Sequence, residues 1–207
     1  MLRLISKKTA CVAIDMHRGH LDPVIGALPL VAERCGPVIE RAANLFRHLR
    51  DRGVSIVHVV TEYRSADEIM RNPFWKAIHD DPNKARKGMA RHNLMGSRGT
   101  EIIPELLDSR DFIVRNKKRY SPFFGTDLLF LLRCLKVDTL ILAGINTTSC
   151  VLCCGFESTN LDFRVVIASD AVDSMDGEEM HRFALNLMAA TIGWPMTNTE
   201  ILDALAL

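Results

Sequence analysis

The 207-residue chain has no apolar run approaching the roughly 20 residues that a membrane-spanning helix needs, so no membrane partner is expected. Its first nine residues, Met1 to Thr9, lack the hydrophobic core of a secretory signal. Neither sign of charge dominates: 26 basic residues face 25 acidic ones, for a formal net charge of +1. The local run Arg115-Asn116-Lys117-Lys118-Arg119 is too short to make a stripe by itself, so nucleic acid is not an expected partner. The six cysteines, at 11, 35, 134, 150, 153 and 154, fit no regular disulfide framework of a secreted scaffold. A cytoplasmic location follows as the expectation. There is no internal repeat and no low-complexity segment. Length alone points to one domain over 1–207, large enough to bury a core without staples.

What is present is organised around Ile141 to Val151. Apolar residues run from Thr139 to Ala143, stop at Gly144, pass through a small polar cluster and reach Cys150, with apolar residues behind it. That pattern predicts a buried strand, a tight turn and a helix with a thiol in its first turn. Backbone N–H groups and the positive end of a helix dipole favour a thiolate there and can hold an oxyanion. A buried cysteine acting as a small hydrophobe is the plain alternative, and the turn alone leaves the two even.

The remaining chain alternates strand and helix. Thr9 to Ile14 predicts a central strand with the carboxylate of Asp15 at its end. Helical spacing covers 31–52, with Val31, Cys35, Val38, Ile39, Ala42, Leu45, Phe46 and Leu49 on one face and Gly53 as the stop. Val54 to Val60 predicts a second strand, followed by Thr61-Glu62-Tyr63-Arg64. Residues 65–98 are polar and irregular, an insertion suited to a lid, a binding loop or a subunit contact. A short helix over 100–107, a strand over Asp111 to Val114 and a loop over 115–125 come next. A helix capped by Thr126 or Asp127 runs to about Leu135. Strands at 138–144 and 163–168, helices at 147–160 and 177–192, and a last short strand near Met196 complete the chain. The expected fold is three-layer α/β/α, with a central, mostly parallel six-stranded sheet and right-handed crossovers.

In such a sheet the C-terminal strand edges carry the site. Asp15, a lysine of Lys117-Lys118 and Cys150 all fall there. Each alone has a bland reading: a helix cap, a solvated surface pair, a buried thiol. Together they can do chemistry, because an ammonium favours thiolate and a carboxylate can take the thiol proton and return it to a leaving amine.

Four segments carry a family resemblance: Ala13-Ile14-Asp15-Met16, then Lys117 to Leu128 (KKRYSPFFGTDL), then Gly144 to Val151 (GINTTSCV), then Ala168-Ser169-Asp170-Ala171. In this order they resemble the isochorismatase-like cysteine hydrolases, which include nicotinamidases, N-carbamoylsarcosine amidases and ureidoacrylate and biuret amidohydrolases. The resemblance spans nearly the whole chain. It implies an Asp15–Lys117–Cys150 triad, with Lys118 as the alternative lysine. It also implies a cis peptide at Ile145–Asn146 and an oxyanion hole made by the backbone N–H groups of Asn146 and Cys150. The implied activity is cleavage of a C–N bond in a small carboxamide or a carbamoyl or ureido compound, releasing ammonia through a thioester, with no cofactor. Homo-oligomers, dimers or tetramers, are common in the family.

Three departures stand out. His17 occupies a usual glutamine position and His20 a usual aromatic position, which makes the pocket wall more polar. Nicotinamidases carry an Asp-x-His metal site after the second strand, where this chain has Thr61-Glu62-Tyr63-Arg64, so no metal is expected; His17 and His20 alone are a thin ligand set. Cys153-Cys154 replaces the usual small pair after the nucleophile, which exposes the site to oxidation. Candidate substrate-binding residues, by location, are His20, Glu62, Tyr63, Arg64, Tyr120, Phe123 and Trp194, with Arg64 or Arg119 available to a substrate carboxylate. Two rival activities are an enol-ether hydrolase, which would need no nucleophilic cysteine, and a thiol redox protein using Cys150-Val151-Leu152-Cys153.

Overall fold

The computed structural model describes residues 2–81, 83 and 88–206. Six strands, β1 (Thr9–Ile14), β2 (Ser55–Thr61), β3 (Phe112–Lys117), β4 (Thr139–Ile145), β5 (Arg164–Asp173) and β6 (Trp194–Met196), form one sheet. Every pairing is parallel, and the order is β3-β2-β1-β4-β5-β6. β1 and β4 are buried along their whole length because both sheet faces are covered, which is why they read as unbroken apolar runs.

Side chains alternate between the two faces. On one face Cys11, Ala13, Ile141 and Ala143 pack with Val38, Ala42, Leu45, Phe46 and Leu49, and with Ile201 and Ala204. The first group comes from α2 (Ala32–Asp51), which follows the single turn α1 (Arg18–Leu21). On the other face Ala10, Val12, Ile14, Leu140 and Leu142 meet Leu128, Leu132, Cys154 and Met188. Each fully buried aliphatic side chain contributes about 1.5–3 kcal/mol. The remaining helices are α3 (Ala66–Met70), α4 (Pro73–Asp80), α5 (Leu128–Cys134), α6 (Leu152–Asn160), α7 (Glu178–Thr191) and α8 (Asn198–Ala206). Among the described residues no helix is long and apolar enough to cross a membrane.

The chain runs outward from β1 to β3, then returns to lay β4 on the other side of β1. The crevice at such a reversal is where ligands bind in open α/β sheets. The β1–β4 register ends on Ile14 opposite Gly144, so the residues following both strands emerge side by side. Gly144 makes that possible. It has φ +125°, and a Cβ there would stand 2.0 Å from the Ile14 carbonyl oxygen.

Several elements differ from expectation. β3 continues through Arg115 and Asn116 to Lys117, whereas the sequence pattern stops at Val114. A register shift between Val59 and Thr61 and a positive φ at Asn116 allow the longer strand, and polar residues on this sheet edge hide it. The helix expected over 100–107 is two single turns of 3-10 helix, Arg98–Thr100 and Pro104–Leu106, because Pro104 has no N–H to continue a helix. The 65–98 insertion is not irregular in its described part. It holds α3 and α4, the latter capped by the Asn72 side chain, which accepts from the Trp75 N–H at 3.1 Å. Tyr63, Ile69, Trp75 and Met89 give it a small core of its own. Residues 82 and 84–87 of this stretch lie outside the described residues.

Candidate active site

Asp15 follows β1 with φ +54° and is fully buried. Its Oδ1 accepts from the Thr61 backbone N–H at 2.9 Å and the Thr61 hydroxyl at 2.7 Å. Its Oδ2 accepts from Lys117 Nζ at 2.6 Å. Lys117 closes β3 and crosses the end of β2, its side chain only 1% exposed. The remaining Nζ donors reach Thr61 Oγ1 at 2.8 Å and Cys150 Sγ at 3.3 Å. All three ammonium donors are therefore used, and the buried charge is paired rather than isolated. Cys150 sits in a π-helical turn, Thr147–Val151, that precedes α6; such turns inside helices often mark functional positions. The Ile145–Asn146 peptide is cis, and the Asn146 side-chain oxygen accepts from the Met175 N–H at 2.9 Å.

The electrostatics fix the resting protonation. Burial pushes the Asp15 carboxyl up, but the Lys117 charge, followed by His17 with Nε2 3.4 Å away, outweighs it and holds the group well below the usual carboxylate range. Burial pulls the Lys117 ammonium down, and Asp15 and then Cys150 bring it back above the usual lysine value. Burial raises the Cys150 thiol to about 11 despite Lys117 beside it. The resting site is carboxylate, ammonium and thiol. Desolvation outweighs the Lys117 charge at the thiol. A carboxylate must then take the thiol proton as the sulfur attacks.

Around these groups lies a cleft with about 490 Å³ of empty space, the open solvent at its mouth included. Besides the reacting groups its lining includes His20, His92, Tyr63, Trp75, Tyr120 and Arg119. His20, Tyr63 and Tyr120 are thus where the sequence places them. Four other candidates are not. Glu62 is buried away from the cleft and faces Arg115 at 3.7 Å, since strand alternation turns it opposite to Thr61 and Tyr63. Arg64 is exposed and paired with Glu68 one helical turn on. Phe123 packs against the core beside α5. Trp194 lies half exposed on β6, the far edge strand. Lys118 is also turned away, donating to the Glu62 carbonyl and pairing with Glu68 at 3.0 Å.

Sequence reading missed Thr61, Trp75 and His92. A threonine closing an apolar strand at the sheet's C-terminal edge was the available signal for Thr61. Trp75 and His92 come from the insertion, where no periodicity ties them to the cleft. Trp75 Nε1 donates to the Tyr120 hydroxyl at 3.0 Å, and the Arg119 guanidinium stacks 5.1 Å from the Trp75 ring centre. Asn93 is a further support: its Nδ2 donates to the Thr61 carbonyl at 3.0 Å and lies 2.8 Å from His17 Nε2, bracing the two residues that flank Asp15.

Among the described residues no group of three or more His, Cys, Asp or Glu side chains is arranged to hold a metal ion. The Cys153 thiol is directed at Glu157, 3.8 Å away, and burial followed by Glu157 raises it to about 11. A redox dithiol needs a lowered thiol instead.

The family model described as the isochorismatase domain matches residues 9–200. An uncharacterized isochorismatase family protein of Escherichia coli O157:H7, YecD, is 31% identical, covering 99% of this chain and 100% of that protein. A maleamate amidohydrolase of Pseudomonas putida is 28% identical over 166 residues, 80% of this chain and 72% of the relative. In fold, the crystal structure of a cysteine hydrolase from Pseudomonas syringae pv. phaseolicola superposes with a TM-score of 0.82 at 24% identity, covering 100% of this chain and 96% of that one.

Proposed function

Since the chain belongs to the isochorismatase family, we propose that it is a cysteine-dependent amidohydrolase releasing ammonia from a small carboxamide, carbamoyl or ureido compound. The observation that carries this reading is the buried Lys117 ammonium, within hydrogen-bond reach of both Asp15 and Cys150 at the mouth of the sheet's crevice. Cys150 Sγ attacks the carbonyl carbon as its proton passes to Asp15. Lys117 stabilises the charge that moves from carboxylate to sulfur. The backbone N–H groups of Asn146 and Cys150 are the donors for the tetrahedral oxyanion. Asp15 gives its proton to the departing nitrogen, ammonia leaves and a thioester remains. Asp15 then takes a proton from water, the hydroxide equivalent attacks the thioester, and the acid and the thiol are released. This sequence uses both reacting groups that Lys117 touches, Asp15 and Cys150.

Arg119 points to the rest of the substrate. Its guanidinium donates to the carbonyls of Glu68 and Lys118, at 3.2 and 2.6 Å, and no carboxylate neutralises it among the described residues. A cleft holding one such cation suits an amide that also bears a carboxylate. Maleamate, named by the relative in Pseudomonas putida, is an amide of that kind. Arg119→Met is expected to raise KM for amide acids by about 10–100-fold, the effect of one charge-assisted contact, and to spare neutral amides. Steady-state ammonia release from matched acid and neutral amides measures it. Equal losses on both would remove the carboxylate assignment, and no ammonia from any amide would sink the amidohydrolase reading.

A further inference from the structure

His20 and His92 line the cleft, and the steps above use neither. They are 4% and 6% exposed, with ring centres 4.7 Å apart and planes tilted by 48°. His20 Nδ1 stands 2.7 Å from the Leu28 carbonyl oxygen. A carbonyl only accepts, so Nδ1 carries the proton and Nε2 is left as a lone pair. His92 Nδ1 is completely buried and has no hydrogen-bond partner among the described residues. His17 is different, since its Nε2 already lies 2.8 Å from Asn93 Nδ2 and 3.4 Å from Asp15.

Both rings are neutral at ordinary pH. Burial, followed by the charge of His17, holds His20 at about 4, and burial with His20 holds His92 well below the usual histidine value. A packing role would be met by a purely aromatic side chain. Imidazoles instead keep hydrogen-bonding nitrogens in a desolvated wall, and the free Nε2 of His20 is the acceptor that a ligand can complete. The direction of that bonding is set as well. A lone pair at His20 Nε2 repels a carboxylate oxygen and accepts an N–H or O–H, so the anionic end of a substrate belongs with Arg119.

Resting on the amidohydrolase reading, we infer that His20 and His92 are the specificity-determining wall of the cleft and select a substrate with a hydrogen-bond donor beside the reacting carbonyl. A ureido acid has that donor. A plain carboxamide acid, with CH₂ in place of the N–H, lacks it.

Two compounds of equal length, 3-ureidopropionate and glutaramate, differ only in this N–H for CH₂ exchange. The ratio of their kcat/KM values in wild type, His20→Phe and His92→Phe cancels the intrinsic reactivity of the two carbonyls. The ratio is expected to fall by about tenfold or more in His20→Phe, the loss of one hydrogen bond to a buried nitrogen, and by less in His92→Phe, whose ring packs against His20. As an arm independent of turnover, ¹⁵N NMR of the Cys150→Ala protein should show the His20 and His92 nitrogens shifting with 3-ureidopropionate and not with glutaramate. Ammonia release with an unchanged ratio would overturn the wall and leave the amidohydrolase standing. Resonance shifts without ammonia from any amide would overturn the amidohydrolase and leave the wall. Nitrogens that respond to neither compound, or equally to both, would overturn the inference.

Discussion

Lys117→Met is expected to lose activity by about a thousandfold or more and to destabilise the protein by about 3–5 kcal/mol. The lysine pairs with a fully buried carboxylate, and removing one partner leaves the other charge without compensation in a desolvated site. The pH dependence of stability should also change. In wild type the Asp15 carboxyl is lowered on folding, so its contribution is full above its unfolded value of about 4 and is lost as pH falls through the folded one. Lys117 is raised, so its contribution is full below about 10.4 and is lost only in strong alkali. Without Lys117, only His17 and the Thr61 donors oppose burial at Asp15, so the folded carboxyl rises from its wild-type position. The variant's stability deficit relative to wild type should then shrink as pH falls from 7 to 5. Denaturant melts at the two pH values measure this. Lys118→Met is the control: its ammonium is held by Glu62 and Glu68 outside the cleft, and activity should stay within about threefold. Equal losses from both lysines would mean that the site is not built around Lys117.

Gly144→Ala should cost about 3–5 kcal/mol, combining a backbone conformation almost closed to alanine with overpacking against β1. The new Cβ would meet three Ile14 backbone atoms, with the oxygen 2.0 Å and the nitrogen 2.7 Å away, and a β-sheet backbone has nowhere to retreat. For a chain of this size the melting temperature should fall by about 6–20 °C. Activity should fall further than stability explains, since the strands forced apart carry Asp15 and lead to Cys150. A thermal melt together with ammonia release below the transition separates the two effects. A variant as stable as wild type would contradict the tight β1–β4 approach.

Those two residues show what could be read in advance. β1 and β4 are legible because complete burial writes an unbroken apolar run, and Gly144 marks the turn before the polar cluster. Asp15, a lysine of the Lys117-Lys118 pair and Cys150 are legible because each falls at the same sheet edge, and the family resemblance singles out Lys117. The edge strand β3 is less so, since Arg115 and Asn116 interrupt the apolar pattern where the strand continues. The cleft wall is least legible. Trp75 and His92 reach it from the insertion through tertiary packing, and Glu62 and Trp194 leave it through strand alternation and strand order, which local patterns do not encode. The balance of charge and burial at Cys150 is hard to read from sequence for a related reason. Neighbouring charge can be guessed from motifs, whereas the depth of burial is a property of the assembled fold.

The central claim is that Cys150 Sγ forms a thioester with the acyl part of an amide. The direct measurement is ammonia release by wild type and Cys150→Ala on amide and ureido acids, with mass spectrometry of the quenched wild-type reaction. The account predicts ammonia from wild type, a loss of at least about a thousandfold in the variant, and an acyl adduct on the peptide bearing Cys150. Ammonia released at similar rates by both proteins would contradict it.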